Sequence, residues 1–223
     1  MARFLLGLLM RREVRGLDRV PRTGGLIIAS NHGSFWDPPV IATTVERELS
    51  FLAKAELFKV PIFGPLIRSL NSIPIRRGVS DLTGLGRARE ALANGGCLLL
   101  FPEGGRKKDG RLHPARPGLG LLESHARVPI VPVHVSGTNK IRRCALRLER
   151  VRVTFGEPLP ETLWFPAGER STPTGRDLYQ AIGDRVMHEI ALLRQQEEAA
   201  RSGAAPATGT PRGADSNERG GSV

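Results

Sequence analysis

The chain has 223 residues, a length that suits a single α/β domain with a substantial core. Its two cysteines are too few for a disulfide framework or a cysteine-based zinc site, and they favour a reducing compartment. Hydrophobic residues make up 40% of the chain, and the formal net charge is +11. That charge indicates an anionic partner, which could be nucleic acid, an anionic membrane surface or a phosphorylated ligand.

The two ends of the chain differ in composition from its middle. Residues 4–10 are almost all apolar and are followed by Arg11 and Arg12. This stretch is shorter than the ~20 residues of a spanning helix, so it either lies in a membrane interface or docks on the core. We therefore predict an interfacial segment at residues 1–13 and one domain at residues 14–200. Residues 201–223 are rich in small and polar residues, which predicts a disordered tail.

Apolar runs and alternating patterns predict six strands between these ends. In chain order they cover residues 26–29, 49–53, 72–75, 98–101, 130–135 and 146–155, the last as an edge or half-exposed strand. Helical spacing predicts helices at residues 37–46, 57–70, 81–94, 118–126 and 176–198. Strands that alternate with helices, several of them apolar throughout, predict an α/β fold with a mostly parallel central sheet flanked by helices.

The clearest catalytic pattern is N-H-G-S-F-W-D at residues 31–37, between a predicted strand and a predicted helix. Histidine titrates near neutrality and suits general-base chemistry. A carboxylate that accepts one ring N–H fixes the tautomer and leaves the other ring nitrogen free to take a proton. On one continuous helix His32 and Asp37 would point ~140° apart, but Gly33 and the prolines that follow Asp37 place them at a turn where they can meet. The alternative is a histidine that only caps a loop.

Three further segments place functional residue types where predicted strands end. The run F-P-E-G-G-R at residues 101–106 puts Glu103 at the carboxyl edge of the sheet, where ligands of open α/β sheets bind, and Arg106 supplies charge for a phosphate. The run I-P-I-R-R at residues 73–77 ends in arginines, and V-P-I-V-P-V at residues 128–133 could form a wall beside a site. Each has a plainer alternative: a solvated basic turn, a surface arginine pair or an ordinary core strand.

In this order the four segments resemble the 1-acylglycerol-3-phosphate acyltransferase family of glycerolipid acyltransferases. That family carries N-H-x4-D, a strand ending in arginine, F-P-E-G-x-R and a V-P-I-V-P-V-like strand, and the resemblance covers about residues 14–160. It implies a glycerol-3-phosphate acyltransferase-like α/β fold and transfer of a fatty acyl group to 1-acylglycerol 3-phosphate, which gives phosphatidic acid. It also implies acyl-CoA or an acyl-carrier protein as donor, a lysophospholipid acceptor, and no metal or other cofactor.

The resemblance assigns a role to each matching residue. His32 would deprotonate the acceptor hydroxyl, and Asp37 would orient His32 and stabilise its protonated form. Arg77 and Arg106 would hold the acceptor phosphate. Glu103 and Gly104 would position the glycerol of the acceptor, and Pro132 would line the acyl-donor side. The chain departs from the family at Gly105, where the family usually has threonine. Because this hydroxyl is missing, the resemblance does not fix how the chain contacts the acceptor here.

The acceptor carries an acyl chain, so the resemblance implies a peripheral protein on the cytoplasmic face of the cell membrane.

The Gly105 departure permits another acceptor, such as glycerol 3-phosphate, an amino-acid lipid or a glycolipid. The basic residues near 140–152 suggest nucleic-acid binding, but they lack a stacking pattern, so we predict no such partner. A zinc hydrolase is excluded because Leu192 stands where H-E-x-x-H needs a second histidine. The other histidines, among them His113 and His134, are expected to be structural.

Overall fold

The computed structural model describes residues 11–61, 63–69, 71–75, 82–140, 143–144, 146, 148–165 and 175–203. Its strands are β1 (Arg12–Arg15), β2 (Leu26–Ser30), β3 (Leu49–Lys54), β4 (Ser72–Ile75), β5 (Cys97–Leu100), β6 (Ile130–Ser136) and β7 (Val151–Phe155). They form one sheet in the order β1-β7-β6-β2-β5-β3-β4. All neighbouring strands are parallel except β6 and β7, which confirms the predicted mostly parallel α/β fold.

Helices connect the strands and cover the sheet. They are α1 (Asp37–Ala42), α2 (Phe63–Ser69), α3 (Leu82–Ala93), α4 (Gly118–Ala126) and α5 (Arg176–Ser202), with short 3-10 helices at Leu17–Arg19, Ala55–Lys59, Thr138–Lys140 and Glu161–Leu163. Within the described ranges, no helix combines the length and the apolar composition that crossing a bilayer requires.

The central strand β2 divides its side chains between two hydrophobic clusters. Leu26 and Ile28 belong to the cluster that includes residues of α1, whereas Ile27 and Ala29 belong to the cluster formed with α3, α4 and α5. All five residues of β2 are buried. Helices on both faces of the sheet explain why this strand is apolar throughout rather than alternating.

The structure differs from the sequence prediction on one side of the sheet. β1 was not predicted, because its sequence R-E-V-R has a single apolar side chain; it is held by its ladder to β7, where Arg12 pairs with Val151. The last predicted strand, expected at an edge or half exposed, is the second of these: β7 lies between β1 and β6, not at an edge, and begins only at Val151. Its alternating burial is as predicted.

The helix ends also differ from the predicted ones. α1 stops at Ala42 rather than near residue 46, and the hydroxyls of Thr43 and Thr44 there donate hydrogen bonds to carbonyl groups of the preceding turn. α5 continues to Ser202, into the stretch predicted to be a tail. Most of the predicted interfacial segment (residues 1–10) and of the tail (residues 204–223) lies outside the described residues.

Candidate active site

The predicted site residues follow strands that are neighbours in the sheet. β2 lies between β5 and β6 and is parallel to both, so the carboxyl ends of all three strands meet at one edge. The loop after β2 carries the N-H-x4-D motif, the loop after β5 carries F-P-E-G, and a 3-10 helix that includes Thr138 follows β6. This edge is where open α/β sheets bind their ligands.

His32 and Asp37 form the pair that the sequence predicts. Nδ1 of His32 lies 3.0 Å from Oδ2 of Asp37, and the two side chains are 16% and 0% exposed. The loop turns between the two residues because α1 begins at Asp37 and has proline in its first turn. With Nδ1–H donated to the carboxylate, Nε2 is the nitrogen left to accept a proton.

The carboxylate of Asp37 is fixed by three further donors. Its Oδ2 accepts the backbone N–H groups of Gly33 (2.8 Å) and Ser34 (2.7 Å), and its Oδ1 accepts the hydroxyl of Thr138 at 2.5 Å. Charge-assisted bonds of this kind are about twice as strong as neutral ones. Asp37 is therefore held rigidly behind the imidazole, and it ties the loop after β2 to the end of β6.

The ring and the backbone of His32 are held by the loop that carries F-P-E-G. The imidazole stacks on Phe101, with ring centroids 4.0 Å apart and an interplanar angle of 20°. The backbone N–H of His32 donates to Oε1 of Glu103 at 3.1 Å, and its carbonyl accepts the N–H of Lys107 at 2.7 Å. The N-H-x4-D motif and the F-P-E-G motif thus build one site together.

Glu103 is a buried acid with one oxygen unused. The residue is 2% exposed, and its Oε2 has no hydrogen-bond partner within the described residues. Burial raises the pKa of the Glu103 carboxyl above its usual value. The next residue, Gly104, has φ +69°, and a Cβ there would press on the side chain of Arg116, so the position favours glycine.

A cavity of about 200 Å³ opens beside His32. The loops after β2 and β5, the end of β6 and the last two turns of α5 line it; the side chains include His32, Glu103, Lys107, Arg111, His134, Ser136, Arg194, Glu197, Glu198 and Arg201. The structure therefore brings His32, Asp37 and Glu103 together, with His32 and Glu103 at the cavity and Asp37 behind them.

Two other predicted substrate-binding residues, Arg106 and Pro132, do not line this cavity. The guanidinium of Arg106 covers the exposed ring of Phe35, 3.5 Å from its centroid. Pro132 is buried in β6 and packs against Gly156, and it is not a lining residue of the cavity. Arg77 lies outside the described residues. The roles assigned to these three residues stay predictions.

Sequence reasoning missed several residues that shape the site. Thr138 had no signal, because the residue that it contacts, Asp37, is 101 positions away in the chain. Asn31 begins the N-H-x4-D motif and has no role assigned from the sequence, yet its amide exchanges two hydrogen bonds with the backbone of Val135 and fastens β2 to β6. His134, expected to be structural, lines the cavity.

The chain is similar to known acyltransferases in sequence. The model of the family described as "Acyltransferase" matches residues 11–136. Three proteins named 1-acyl-sn-glycerol-3-phosphate acyltransferase are similar to it. The chloroplastic protein of Brassica napus is 31% identical over 59% of this chain and 39% of its own length. The protein of Streptococcus pneumoniae is 30% identical over 64% of this chain and 53% of its own length, and that of Pseudomonas aeruginosa is 34% identical over 56% and 49% respectively. The matched part thus spans only 39% to 53% of these relatives.

A solved structure supports the same relationship. The 1-acyl-sn-glycerophosphate acyltransferase PlsC of Thermotoga maritima superimposes with a TM-score of 0.61. The two chains are 26% identical, and the superposition covers 85% of this chain and 76% of the other. The similarity therefore extends over most of the chain, beyond the motif region alone.

Proposed function

This chain belongs to the acyltransferase family, and we propose that it transfers a fatty acyl group from an acyl thioester to the free hydroxyl of 1-acylglycerol 3-phosphate. The product would be phosphatidic acid. The observation that carries the proposal is the His32–Asp37 pair, 3.0 Å apart, at the edge of the sheet beside a cavity. The names of the matched relatives support the choice of acceptor.

The residue types define the chemical steps. Neutral His32 removes the hydroxyl proton through Nε2 while the hydroxyl oxygen attacks the thioester carbonyl carbon. Asp37 accepts the Nδ1–H group and stabilises the imidazolium that forms. The tetrahedral intermediate then expels the sulfur, which leaves as a thiol after taking a proton from His32. An ester bond has formed and a thioester bond has broken.

The proposed reaction needs no protein nucleophile and no cofactor. A thioester is already activated, so the acceptor oxygen can attack it directly. Either acyl-CoA or an acyl-carrier protein supplies such a thioester. Glu103 lies beside His32 at the cavity, and burial raises the pKa of its carboxyl above the usual value.

An acceptor panel tests the proposal. The purified chain is given a labelled acyl-CoA or acyl-carrier protein, and each of 1-acylglycerol 3-phosphate, glycerol 3-phosphate, an amino-acid lipid and a glycolipid is offered as acceptor. Chromatography of the lipids is expected to show labelled phosphatidic acid. The absence of Thr at position 105 makes the panel necessary, because that hydroxyl would otherwise contribute to acceptor binding. Labelling of another acceptor alone would overturn the assignment of 1-acylglycerol 3-phosphate.

We also propose that the protein works at an anionic membrane on its cytoplasmic face. Large apolar side chains are exposed on loops at the carboxyl edge, next to the cavity: Phe35 (75%), Trp36 (41%), Leu146 (71%) and Leu148 (68%). Arg106 lies over Phe35, and the chain carries a net charge of +11. Basic residues near an anionic leaflet contribute ~1 kcal/mol each. This edge would face the lipid and bring the acceptor to His32.

Liposome flotation tests this membrane contact. The protein is expected to float with phosphatidylglycerol-containing vesicles at ~0.1 M salt and to be released at ~1 M salt, where the Debye length falls to ~3 Å. The double substitution Phe35→Ser with Leu148→Ser should weaken flotation at ~0.1 M salt, because it removes exposed apolar surface at this edge. Leu163→Ser is the matched control, because Leu163 is 49% exposed but follows β7 at the opposite edge. Equal loss with the control variant would count against the proposed orientation.

A further inference from the structure

A second histidine–carboxylate pair lies in the wall of the active-site cavity. Nδ1 of His134 is 3.0 Å from Oε2 of Glu197, and the two side chains are 8% and 5% exposed. Oε1 of Glu197 accepts the hydroxyl of Ser136 at 2.5 Å. The pair joins the end of β6 to the last turns of α5, and the proposed acyl transfer has no step for it.

We propose that this wall binds a phosphate group of one of the two substrates, using His134 with Lys107, Arg111 and Arg201. The inference rests on the proposed function and deepens it. All four residues line the same cavity as His32. The four differ from Arg77 and Arg106, the residues to which the sequence resemblance assigns the acceptor phosphate.

The carboxylates at the cavity have partners of their own, so cationic side chains there can bind an anion. Glu198 is paired with Arg194 at 2.8 Å, Glu197 is engaged by His134 and Ser136, and Glu103 accepts from the backbone of His32. Within the described residues, the side chains of Lys107, Arg111 and Arg201 form no ion pair within 4.0 Å, although the charge of Lys107 acts on the carboxyl of Glu103. Three such cations match a dianionic phosphate better than a single carboxylate, and guanidinium groups bind phosphate in bidentate geometry.

The Glu197 contact prepares His134 for this role. Burial alone would raise the pKa of the Glu197 carboxyl, but hydrogen bonds from His134 and Ser136 outweigh burial and hold the pKa below its usual value. The ionised carboxylate accepts the Nδ1–H group of His134. The other nitrogen, Nε2, has no partner within the described residues and, when protonated, donates to a phosphate oxygen.

The cavity has the size of a headgroup rather than a whole lipid. Its volume is about 200 Å³, somewhat larger than the ~150 Å³ of an engineered cavity that holds a benzene molecule. A phosphate group with part of its headgroup fits in this volume, whereas the acyl chain would stay outside. Of the four residues, only Arg201, on α5, lies beyond residues 11–136 matched by the family model.

Titration with inorganic phosphate tests whether the subsite exists. The 15N signals of the His134 ring are followed in the wild-type protein, with chloride at equal ionic strength as the salt control. Phosphate is expected to shift these signals, and Arg111→Met with Arg201→Met should weaken the apparent affinity at least about tenfold. The matched control is Arg185→Met, also on α5, where Arg185 pairs with Glu189 at 2.9 Å and does not line the cavity. An unchanged His134 signal, or equal weakening by the control, would overturn the proposal.

Steady-state kinetics then assign the phosphate to a substrate. The Arg111→Met, Arg201→Met double variant is expected to raise one KM about tenfold with little change in kcat. A rise in the acceptor KM identifies the phosphate of the acceptor, and a rise in the donor KM identifies a phosphate of the donor. A kcat loss with both KM values unchanged would overturn the binding role. If inorganic phosphate binds but no acceptor is acylated, the proposed function fails while the anion site stands.

Discussion

Replacing His32 by alanine is expected to lower kcat for acyl transfer about 10³-fold, within the ~10²–10⁴ range that general-base catalysis supplies. Alanine removes the nitrogen that takes the hydroxyl proton, and within the described residues no other imidazole is held by Asp37. The measurement is release of free thiol from the acyl donor together with formation of labelled phosphatidic acid. Both should fall to the same extent, because one proton transfer governs them.

The His32→Ala protein is expected to fold. The loop is held through the backbone of residue 32, whose N–H donates to Glu103 and whose carbonyl accepts from Lys107, and alanine retains both groups. The variant loses the stacking on Phe101, worth ~1 kcal/mol, and the hydrogen bond from Nδ1 to Asp37. The carboxylate of Asp37 still keeps its other three donors. Circular dichroism and thermal unfolding should therefore show a native fold with slightly lower stability.

His113 offers a matched control for this substitution. Its Nε2 lies 2.8 Å from Oδ2 of Asp109, so it also forms a histidine–aspartate pair, but both side chains are substantially exposed. His113 does not line the cavity. His113→Ala should retain wild-type kcat and KM. Wild-type turnover in a folded His32→Ala protein would disprove the assignment of the base.

The apolar strands and the catalytic loop could be predicted because their signals are local. β2, β5 and β6 are continuous apolar runs, which is the pattern of parallel strands buried on both faces. Parallel neighbours end at the same edge of a sheet, so His32 after β2 and Glu103 after β5 were expected at one site. The structure places Glu103 within 3.1 Å of the backbone of His32.

The remaining features depend on contacts between distant parts of the chain. β1 is polar and exists through its ladder to β7, about 139 positions later along the sequence. Thr138 reaches Asp37 across 101 positions, and His134 reaches Glu197 across 63. Neither pair leaves a period or a motif in the sequence. The wall that α5 contributes to the cavity could therefore be seen only after the helix was placed on the sheet.

Asp37→Asn is expected to lower kcat about 10²-fold, which corresponds to ~2.7 kcal/mol of transition-state stabilisation. The physical reason is the lost negative charge behind an imidazole that becomes a cation as it takes the hydroxyl proton. KM for both substrates should change little, because Asp37 is 0% exposed and does not line the cavity. The measurement is steady-state kinetics with each substrate varied in turn.

Asparagine can keep the geometry of the site, which is why the loss should be electrostatic. An amide oxygen in the place of Oδ2 still accepts the N–H groups of Gly33 and Ser34 and the Nδ1–H group of His32. The amide nitrogen then faces Thr138, whose hydroxyl can turn and accept. Every buried group keeps a partner, so thermal stability should stay close to that of the wild type.

Asp37→Ala separates the structural role of the carboxylate from its charge. Alanine leaves the two backbone N–H groups and the Thr138 hydroxyl without their acceptor, at ~1–3 kcal/mol each. We expect the free energy of unfolding to fall by about 3 kcal/mol or more, measured by urea denaturation, together with the loss of activity. Asp109→Asn, in the exposed pair with His113, should change neither quantity. Equal stability of the Asp37→Ala and Asp37→Asn proteins would show that the carboxylate does not hold the loop, and wild-type kcat in Asp37→Asn would remove its role in catalysis.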